Sequence, residues 1–303
     1  MLRKSILLFS ISLLLCALSA CQTINVDAVK NTPAAQTRTP TTPGTREPHA
    51  TATSTPVVCT ETSGTIEEVK IPTDRLSSPM IVTVYLPPCY KANSSEKYPT
   101  LYMLHGQAAP SDQWIQIGLT AAADQLITEK KIQPMIIVMP FEESWRSGPE
   151  TSEFGNVLLQ DVIPFIDKQY RTYSTRSGRA IGGLSRGGNW AVYLGFSHPE
   201  IFAAMGAHSA PLFYGEYSRI ERETGAAQSL AEFPSIYIDM GKKDEQKDKI
   251  LEFVDFVKEL GFAYEFHQNE GRHENAYWSA HVSEYLQWYS SQLTQNTAVD
   301  ESP

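Results

Sequence analysis

Cysteine is scarce in this sequence, with only 4 in 303 residues. So few cysteines exclude the small folds that depend on a dense disulfide framework. Basic residues are also outnumbered, because 25 Lys and Arg face 34 Asp and Glu and leave a formal net charge of −9. That balance, without a basic cluster, disfavours nucleic acid as the main partner. The His, Cys, Asp and Glu spacings do not read as a metal site, so we predict no metal and no cofactor.

Long apolar runs are missing beyond the first residues of the chain. After the basic Arg3 and Lys4, an apolar stretch runs from Ile6 to Leu18. This stretch is shorter than the roughly 20 residues that a membrane-spanning helix needs. Small residues follow it, so residues 1–20 have the layout of a cleaved export signal.

The end of that signal, Leu18-Ser19-Ala20-Cys21, resembles the lipobox of bacterial lipoproteins. The resemblance implies cleavage before Cys21 and diacylglycerol on its thiol, which would hold the mature protein at a membrane surface. We therefore expect an exported protein, lipid-anchored to the outer face of the bacterial cell membrane or at the cell surface. The alternative is an ordinary secretory signal with an incidental cysteine.

The segment that follows, residues 21–57, has a tether-like composition. Within it, residues 32–56 contain 9 Thr and 5 Pro and no large apolar side chain. Such a stretch buries too little apolar surface to offset the entropy of ordering it, and proline keeps it extended. We predict a disordered tether that holds a folded domain away from the membrane.

Residues 58–303 alternate strand-like and helix-like patterns, which predicts one α/β domain. The expected architecture is a mostly parallel sheet with an antiparallel N-terminal strand pair and helices on both faces. Strands are predicted at residues 65–71, 80–86, 100–105, 134–140, 179–184, 202–208, 235–240 and 264–268. Helices are predicted at residues 119–131, 154–170, 187–196, 247–260 and 278–293, the second of them kinked or split at Pro164.

Two cysteines flank the first predicted strand pair. Cys59 and Cys89 are nearly symmetric about the turn between these strands, so an antiparallel hairpin places them roughly opposite each other. An exported protein meets oxidising conditions, which favours a Cys59–Cys89 disulfide over two free thiols.

The pattern Gly183-Leu184-Ser185-Arg186-Gly187 follows an apolar strand and opens a helix. Small residues allow a sharp turn there, which would lift the Ser185 hydroxyl above the sheet as a nucleophile. The free N–H groups of the helix N-terminus would then face any negative charge that develops. The structural alternative is a glycine-rich turn with a capping serine.

A second group of candidates follows another strand, at His105-Gly106-Gln107. Ligands of parallel α/β sheets bind beyond the carboxyl ends of the strands. We predict that the Gln107 and Arg186 N–H groups form an oxyanion hole. His105 is interpreted as a structural residue that orients this loop.

An acid and a base follow the last two strands. Asp244 lies in a loop from which it could orient a histidine, and Asp239, still in the strand, is the alternative. His273 comes after the final strand and could act as the general base for Ser185. The chain order of serine, acid and histidine is that of the α/β hydrolases.

Residues 63–293 resemble the "putative esterase" family of α/β hydrolases, which includes feruloyl and acetyl-xylan esterases, S-formylglutathione hydrolase, enterochelin esterases and the mycolyltransferases of the antigen 85 group. The matching stretches are MIVTVYLPPCY, YPTLYMLHGQAAPSDQW, QPMIIVMP, DVIPFIDKQYRT, RAIGGLSRGGNWAVYLGFSHPEIFAA, IDMGKKD and EGRHENAYW. The resemblance implies an α/β-hydrolase fold, a catalytic triad of Ser185, Asp244 and His273, and oxyanion donors at Gln107 and Arg186. The sequence departs from the family after His-Gly, where a glycine-rich run is replaced by Gln-Ala-Ala-Pro.

The resulting functional hypothesis is a serine carboxylic ester hydrolase that works through an acyl-enzyme, with an ester substrate such as a feruloylated or acetylated polysaccharide. Asp112 and Trp114 lie near the oxyanion loop and could contact substrate, since an exposed Trp stacks on sugar or aromatic faces. Core packing is the alternative for Trp114. Two other functions remain open, namely an acyltransferase of the mycolyltransferase type and a non-catalytic binding lipoprotein.

Overall fold

The computed structural model describes residues 59–93 and 95–293. Eight strands in this part of the chain form one sheet. They are β1 Thr65–Ile71, β2 Met80–Leu86, β3 Thr100–Leu104, β4 Ile136–Pro140, β5 Arg179–Leu184, β6 Ala204–His208, β7 Ser235–Gly241 and β8 Tyr264–Asn269. Their spatial order is β1-β2-β4-β3-β5-β6-β7-β8.

Most neighbouring strands run parallel. The pairs β1–β2 and β2–β4 are antiparallel, whereas β4, β3, β5, β6, β7 and β8 are parallel to one another. The predicted α/β architecture is therefore confirmed, including the antiparallel N-terminal pair. Because the parallel strands end at one common edge, the loops after them meet there.

The helices in the described part of the chain are α1 Gln113–Gln116, α2 Leu119–Thr128, α3 Phe154–Val157, α4 Ile163–Gln169, α5 Arg186–Ser197, α6 Glu216–Ala226, α7 Lys247–Glu259 and α8 Asn275–Gln292. A π-helical turn, Leu158–Val162, joins α3 to α4. It precedes Pro164, which has no N–H for a helical hydrogen bond, so the predicted interruption is present. The sequence patterns missed α6, whose side chains are mostly polar and of which only Glu216 and Ile220 are buried.

Side chains from the sheet pack into two apolar layers. Along β3, Tyr102 and Leu104 face one layer while Leu101 and Met103 face the other, as the strand's alternation requires. The first layer includes residues of α3, α4, α5 and α7, and the second includes residues of α1, α2 and α8. Helices therefore cover both faces of the sheet.

The two outermost strands carry charged side chains. Glu67, Glu68 and Lys70 are exposed on β1, which has only β2 as a neighbour in the sheet. On β8, at the opposite edge, Glu265 accepts a hydrogen bond from His267 at 2.8 Å. Both edges of the described sheet are therefore polar.

Cys59 and Cys89 are joined by a disulfide, with their Cα atoms 5.8 Å apart. This bond ties the start of the described chain to the end of β2. The predicted export signal, Cys21 and the predicted tether lie outside the described residues. Within the residues that are described, no helix combines the length and the apolar character needed to cross a bilayer.

Candidate active site

Ser185 occupies a sharp turn between β5 and α5. Its backbone has φ = 52° and ψ = −119°, a conformation that side-chain-bearing residues rarely adopt. The turn fits only because its neighbours are small, since a Cβ at Gly183 would overlap the Gly187 carbonyl and a Cβ at Gly187 would overlap the Leu104 carbonyl. The Ser185 N–H also donates to the His208 carbonyl at 2.8 Å. The surrounding structure therefore holds the serine at the carboxyl edge of the sheet.

Ser185, His273 and Asp244 form a continuous hydrogen-bonded chain. The Ser185 Oγ lies 2.8 Å from Nε2 of His273. Nδ1 of the same imidazole lies 3.1 Å from Oδ2 and 3.2 Å from Oδ1 of Asp244. These contacts have the geometry in which a carboxylate orients an imidazole and the imidazole can accept a hydroxyl proton.

Local hydrogen bonds favour an ionised Asp244. Burial alone would raise its pKa, but hydrogen bonds from His273 and from the Gln246 N–H outweigh burial and hold that pKa below its ordinary value of 3.8. The Gln246 N–H donates to Oδ1 of Asp244 at 2.7 Å. A negative charge is therefore available beside the imidazole.

The alternative acid, Asp239, is engaged elsewhere. Its carboxylate is fully buried and lies 2.7 Å from Nδ1 of His208. It also accepts hydrogen bonds from the hydroxyls of Tyr277 at 2.6 Å and Tyr285 at 2.8 Å. The Asp239 side chain points into the layer beneath α8, because it still belongs to β7, so Asp244 is the carboxylate that reaches His273.

The predicted oxyanion donors are the backbone amides of Gln107 and Arg186. Neither the Gln107 nor the Arg186 N–H donates to an acceptor within the described part of the chain. In contrast, the Gly106 N–H is already used by Oε1 of Gln113 at 2.9 Å. Gln113 in turn donates to Oδ1 of Asn275, at the start of α8, at 2.9 Å. The loop that presents Gln107 is thus tied to the helix that follows His273.

His105 supports this loop from beneath. Its Nε2 accepts a hydrogen bond from the Glu142 N–H at 2.8 Å, so the ring proton is on Nδ1, which donates to the Gly106 carbonyl at 2.8 Å. Burial lowers the pKa of His105 below its ordinary value of 6.5. Both ring nitrogens of this neutral histidine are occupied, which agrees with a structural rather than a proton-transferring residue.

Glu142 is a residue that the sequence patterns did not single out. Its carboxylate is buried and accepts hydrogen bonds from Arg186, Nε at 2.7 Å and Nη2 at 2.5 Å. It also accepts one from Nε1 of Trp190 at 2.9 Å. Through its own N–H it holds His105 as well. One residue thus contacts both segments that carry the candidate oxyanion donors, and its position just after β4 was the available signal.

A pocket of about 320 Å³ opens over Ser185. Trp278 contributes to its wall and stands perpendicular to the His273 ring, with ring centroids 5.1 Å apart. The other lining residues are Gly106, Gln107, Ala108, Gln113, Leu184, Ser185 and His273. The serine, the imidazole and one candidate oxyanion donor therefore face the same space.

The family model described as "Putative esterase" matches residues 73–297. The chain belongs to this esterase family. It is 30% identical over 235 residues to an endo-1,4-beta-xylanase/feruloyl esterase of Xylanibacter ruminicola, a match that covers 74% of this chain. The chain spans only 30% to 34% of the length of the first curated relatives that it matches.

Solved structures share the fold. A mutant feruloyl esterase module from Clostridium thermocellum, complexed with sinapinate, has a TM-score of 0.68 and 20% identity, covering 77% of this chain and 90% of the module. An S-formylglutathione hydrolase from Staphylococcus aureus has a TM-score of 0.64 and 17% identity, covering 75% of this chain and 97% of the hydrolase. The architecture is that of the α/β hydrolases.

The loop after His105-Gly106 is Gln-Ala-Ala-Pro and contains no glycine. The turn is nevertheless made, because Ala108 adopts a left-handed φ of 57° and the Ala109 N–H donates to the Gly106 carbonyl at 3.2 Å. Alanine, the smallest residue with a Cβ, takes the conformation that glycine normally supplies.

Trp114 does not lie in the pocket, so the prediction that it stacks on substrate is wrong. Its side chain is 1% exposed and its Nε1 donates to the Leu104 carbonyl at 2.9 Å. α1 turns this ring inward to pack in the layer beneath α8. Asp112 lies beside α1, where its carboxylate accepts a hydrogen bond from Gln116 at 2.9 Å. It is not among the residues that line the pocket.

The neutral, buried state of His105 predicts a pH-dependent stability. The unfolded chain binds a proton at this site more readily than the native state, so the free energy of unfolding should fall as the pH drops below about 6.5. The variant His105→Gln should show a smaller loss between about pH 7 and pH 5 in urea unfolding. His267→Gln, at a partly exposed histidine, is the control. An unchanged pH dependence in His105→Gln would contradict a neutral His105.

Proposed function

We propose that the protein is a serine carboxylic ester hydrolase. The observation that carries this proposal is the hydrogen-bonded chain from Ser185 Oγ through His273 to Asp244, with contacts of 2.8 and 3.1 Å. Two unused amides and an open pocket beside the serine support it. Membership of the esterase family supports the same reaction class.

Acylation begins when the Ser185 hydroxyl attacks the ester carbonyl. His273 accepts the hydroxyl proton as the O–C bond forms, and Asp244 stabilises the resulting imidazolium. The carbonyl π electrons move onto oxygen, and the Gln107 and Arg186 N–H groups donate hydrogen bonds to that oxyanion. When the carbonyl re-forms, the C–O bond to the alcohol breaks and His273 gives its proton to the leaving oxygen.

Deacylation repeats these steps with water. His273 removes a proton from a water molecule as its oxygen attacks the acyl-enzyme carbonyl, and the same two amides hold the second oxyanion. The bond to Ser185 then breaks, and the serine oxygen takes the proton from His273. The products are a carboxylic acid and the free enzyme.

Acylated carbohydrate is the proposed substrate class, with a feruloyl or acetyl group as the acyl part. The relative from Xylanibacter ruminicola is named a xylanase and feruloyl esterase, and a relative from Caldicellulosiruptor saccharolyticus is named an acetyl esterase, 23% identical over 230 residues. A polymeric substrate outside the cell also agrees with the expected export and tether. The proposed partner is therefore a large extracellular ester.

Ser185→Ala should lower the turnover of p-nitrophenyl acetate by on the order of 10⁴-fold or more, because the group that forms the acyl-enzyme is lost. It should also abolish covalent labelling by a fluorophosphonate, with the label in the wild-type protein found on the Ser185 peptide. Ser174→Ala, an exposed serine before β5, is the matched control. Activity within about tenfold of the wild type would show that Ser185 is not the nucleophile.

Glu142→Gln should lower kcat by about tenfold or more with little change in KM, because it weakens the support of Arg186, whose N–H acts only on the oxyanion. Kinetics with p-nitrophenyl acetate measure both constants. Glu143→Gln replaces the neighbouring exposed carboxylate and should leave kcat unchanged. An effect of Glu142→Gln on KM alone would argue against a role in the oxyanion hole.

We also propose that diacylglycerol on Cys21 anchors the mature protein to a membrane. The protein expressed from its own signal in a bacterial host should partition into the detergent phase, and Cys21→Ser should move it to the aqueous phase because the acyl chains are lost. Cys16→Ser, inside the apolar stretch of the signal, is the control and should remain in the detergent phase. Aqueous partitioning of the unsubstituted protein would contradict the anchor.

A further inference from the structure

A second cleft lies outside the pocket over Ser185. It has a volume of about 400 Å³, and its walls come from two segments, residues 75–81 leading into β2 and residues 141–154 after β4. This volume falls within the range of roughly 300–1,000 Å³ that is typical of small-molecule sites. We refer to this space as the second cleft.

The second cleft lies at the carboxyl ends of the parallel strands, as Ser185 does. β2 runs antiparallel to β4, so the start of β2 and the end of β4 meet at the edge where β5 ends. The Phe141 N–H donates to the Ile81 carbonyl at 2.9 Å and closes the floor between them. β4 and β5 are two strand spacings apart and β2 and β5 are three, so the second cleft, between the ends of β2 and β4, lies about 10–14 Å from the end of β5 along the row of strand ends.

Arg186 connects the second cleft to the pocket. Its backbone follows Ser185, while its guanidinium donates to the Ser147 carbonyl at 2.6 Å and to Glu142. Ser147 and Glu142 both line the second cleft. One residue therefore has its amide beside the nucleophile and its side chain against the wall of the second cleft.

Free hydroxyl groups are prominent in that wall. Ser77, Ser78 and Ser144 are exposed, and none of their hydroxyls makes a hydrogen bond within residues 59–93 and 95–293. The apolar surface beside them comes from Leu76, Met80 and Phe141. Hydroxyls that both donate and accept, next to apolar patches, are complementary to the hydroxyl groups and C–H faces of a sugar.

The charged side chains of the second cleft limit the chemical class of its ligand. Arg75 contributes a guanidinium to the lining of the second cleft. Its Nη1 lies 3.6 Å from Oε2 of Glu153 and its Nε lies 3.8 Å from Oδ2 of Asp161, so its charge is already paired. Glu143 is an exposed carboxylate with no ion-pair partner in the described part of the chain. A ligand with carboxylate groups would meet like charge, and an acyl chain would desolvate the hydroxyls without replacing their hydrogen bonds.

We propose that the second cleft binds an uncharged sugar unit of an esterified oligosaccharide while the ester group lies at Ser185. The proposal rests on the proposed ester hydrolysis and specifies its substrate. A separation of about 10–14 Å leaves room for a short run of linked sugar units between the esterified sugar at Ser185 and the sugar in the second cleft. Binding there would lower KM for oligosaccharide esters and leave small esters unaffected.

The test compares an acetylated neutral xylo-oligosaccharide with p-nitrophenyl acetate. Ser78→Trp and Ser144→Trp fill the second cleft from opposite walls, and both positions are exposed. Ser174→Trp is the control, because it places the same side chain before β5, at the amino ends of the parallel strands. Each cleft variant should lower kcat/KM for the oligosaccharide ester by about tenfold, mainly through KM. For p-nitrophenyl acetate the value should stay within about twofold of the wild type.

Binding of unesterified xylo-oligosaccharide to Ser185→Ala gives a readout that does not need catalysis. Calorimetric titration should show binding that Ser78→Trp weakens in the same background and Ser174→Trp does not. Equal losses on both esters, no loss on either, or no saccharide binding would overturn the proposal. A selective loss on a uronate-bearing or long-chain acyl ester would also overturn it. Failure of ester hydrolysis itself would instead appear as a wild-type protein inactive on p-nitrophenyl acetate.

Discussion

The sharp turn at Ser185 is the constraint on which the rest of the site depends. The backbone of Ser185 has φ = 52°, which is unfavourable for a residue with a side chain. The close contacts of Gly183 and Gly187 with their neighbours hold the serine in this conformation. Any side chain at these glycines would push α5 away from β5 or from the end of β3. The position of the hydroxyl above the sheet is therefore fixed by backbone packing rather than by flexible side-chain contacts.

Two buried carboxylates stabilise the structure on either side of that turn. Glu142 ties the end of β4 to Arg186 and His105, while Asp239 ties β6 and β7 to α8 through His208, Tyr277 and Tyr285. A buried charge is tolerated only when its hydrogen bonds are satisfied, so each carboxylate fixes the segments around it. The first supports the candidate oxyanion donors, and the second anchors the helix that follows His273.

Local patterns were enough to predict the strands, the turn at Ser185 and a histidine after the last strand, and to limit the acid to Asp244 or Asp239, because each depends on a strand and the few residues after it. Contacts between distant segments were not predictable in this way. Glu142 gains its importance from Arg186 and Trp190, more than 40 positions away, and the second cleft combines two separate segments. Trp114 was misjudged since its burial depends on how α1 meets the sheet. The chain also has a second histidine–aspartate contact, between His208 and Asp239. A sequence does not show which of two such pairs lies beside the serine.

The charged side chains on the outermost strands affect whether two copies of this protein associate. An edge strand with free backbone groups is a template for pairing with another chain, and such pairing leads to aggregation. On β1, Glu67, Glu68 and Lys70 would lose hydration or meet like charges if a second copy added a strand there. These side chains, which lie away from the active site, thus disfavour the pairing of two copies through β1.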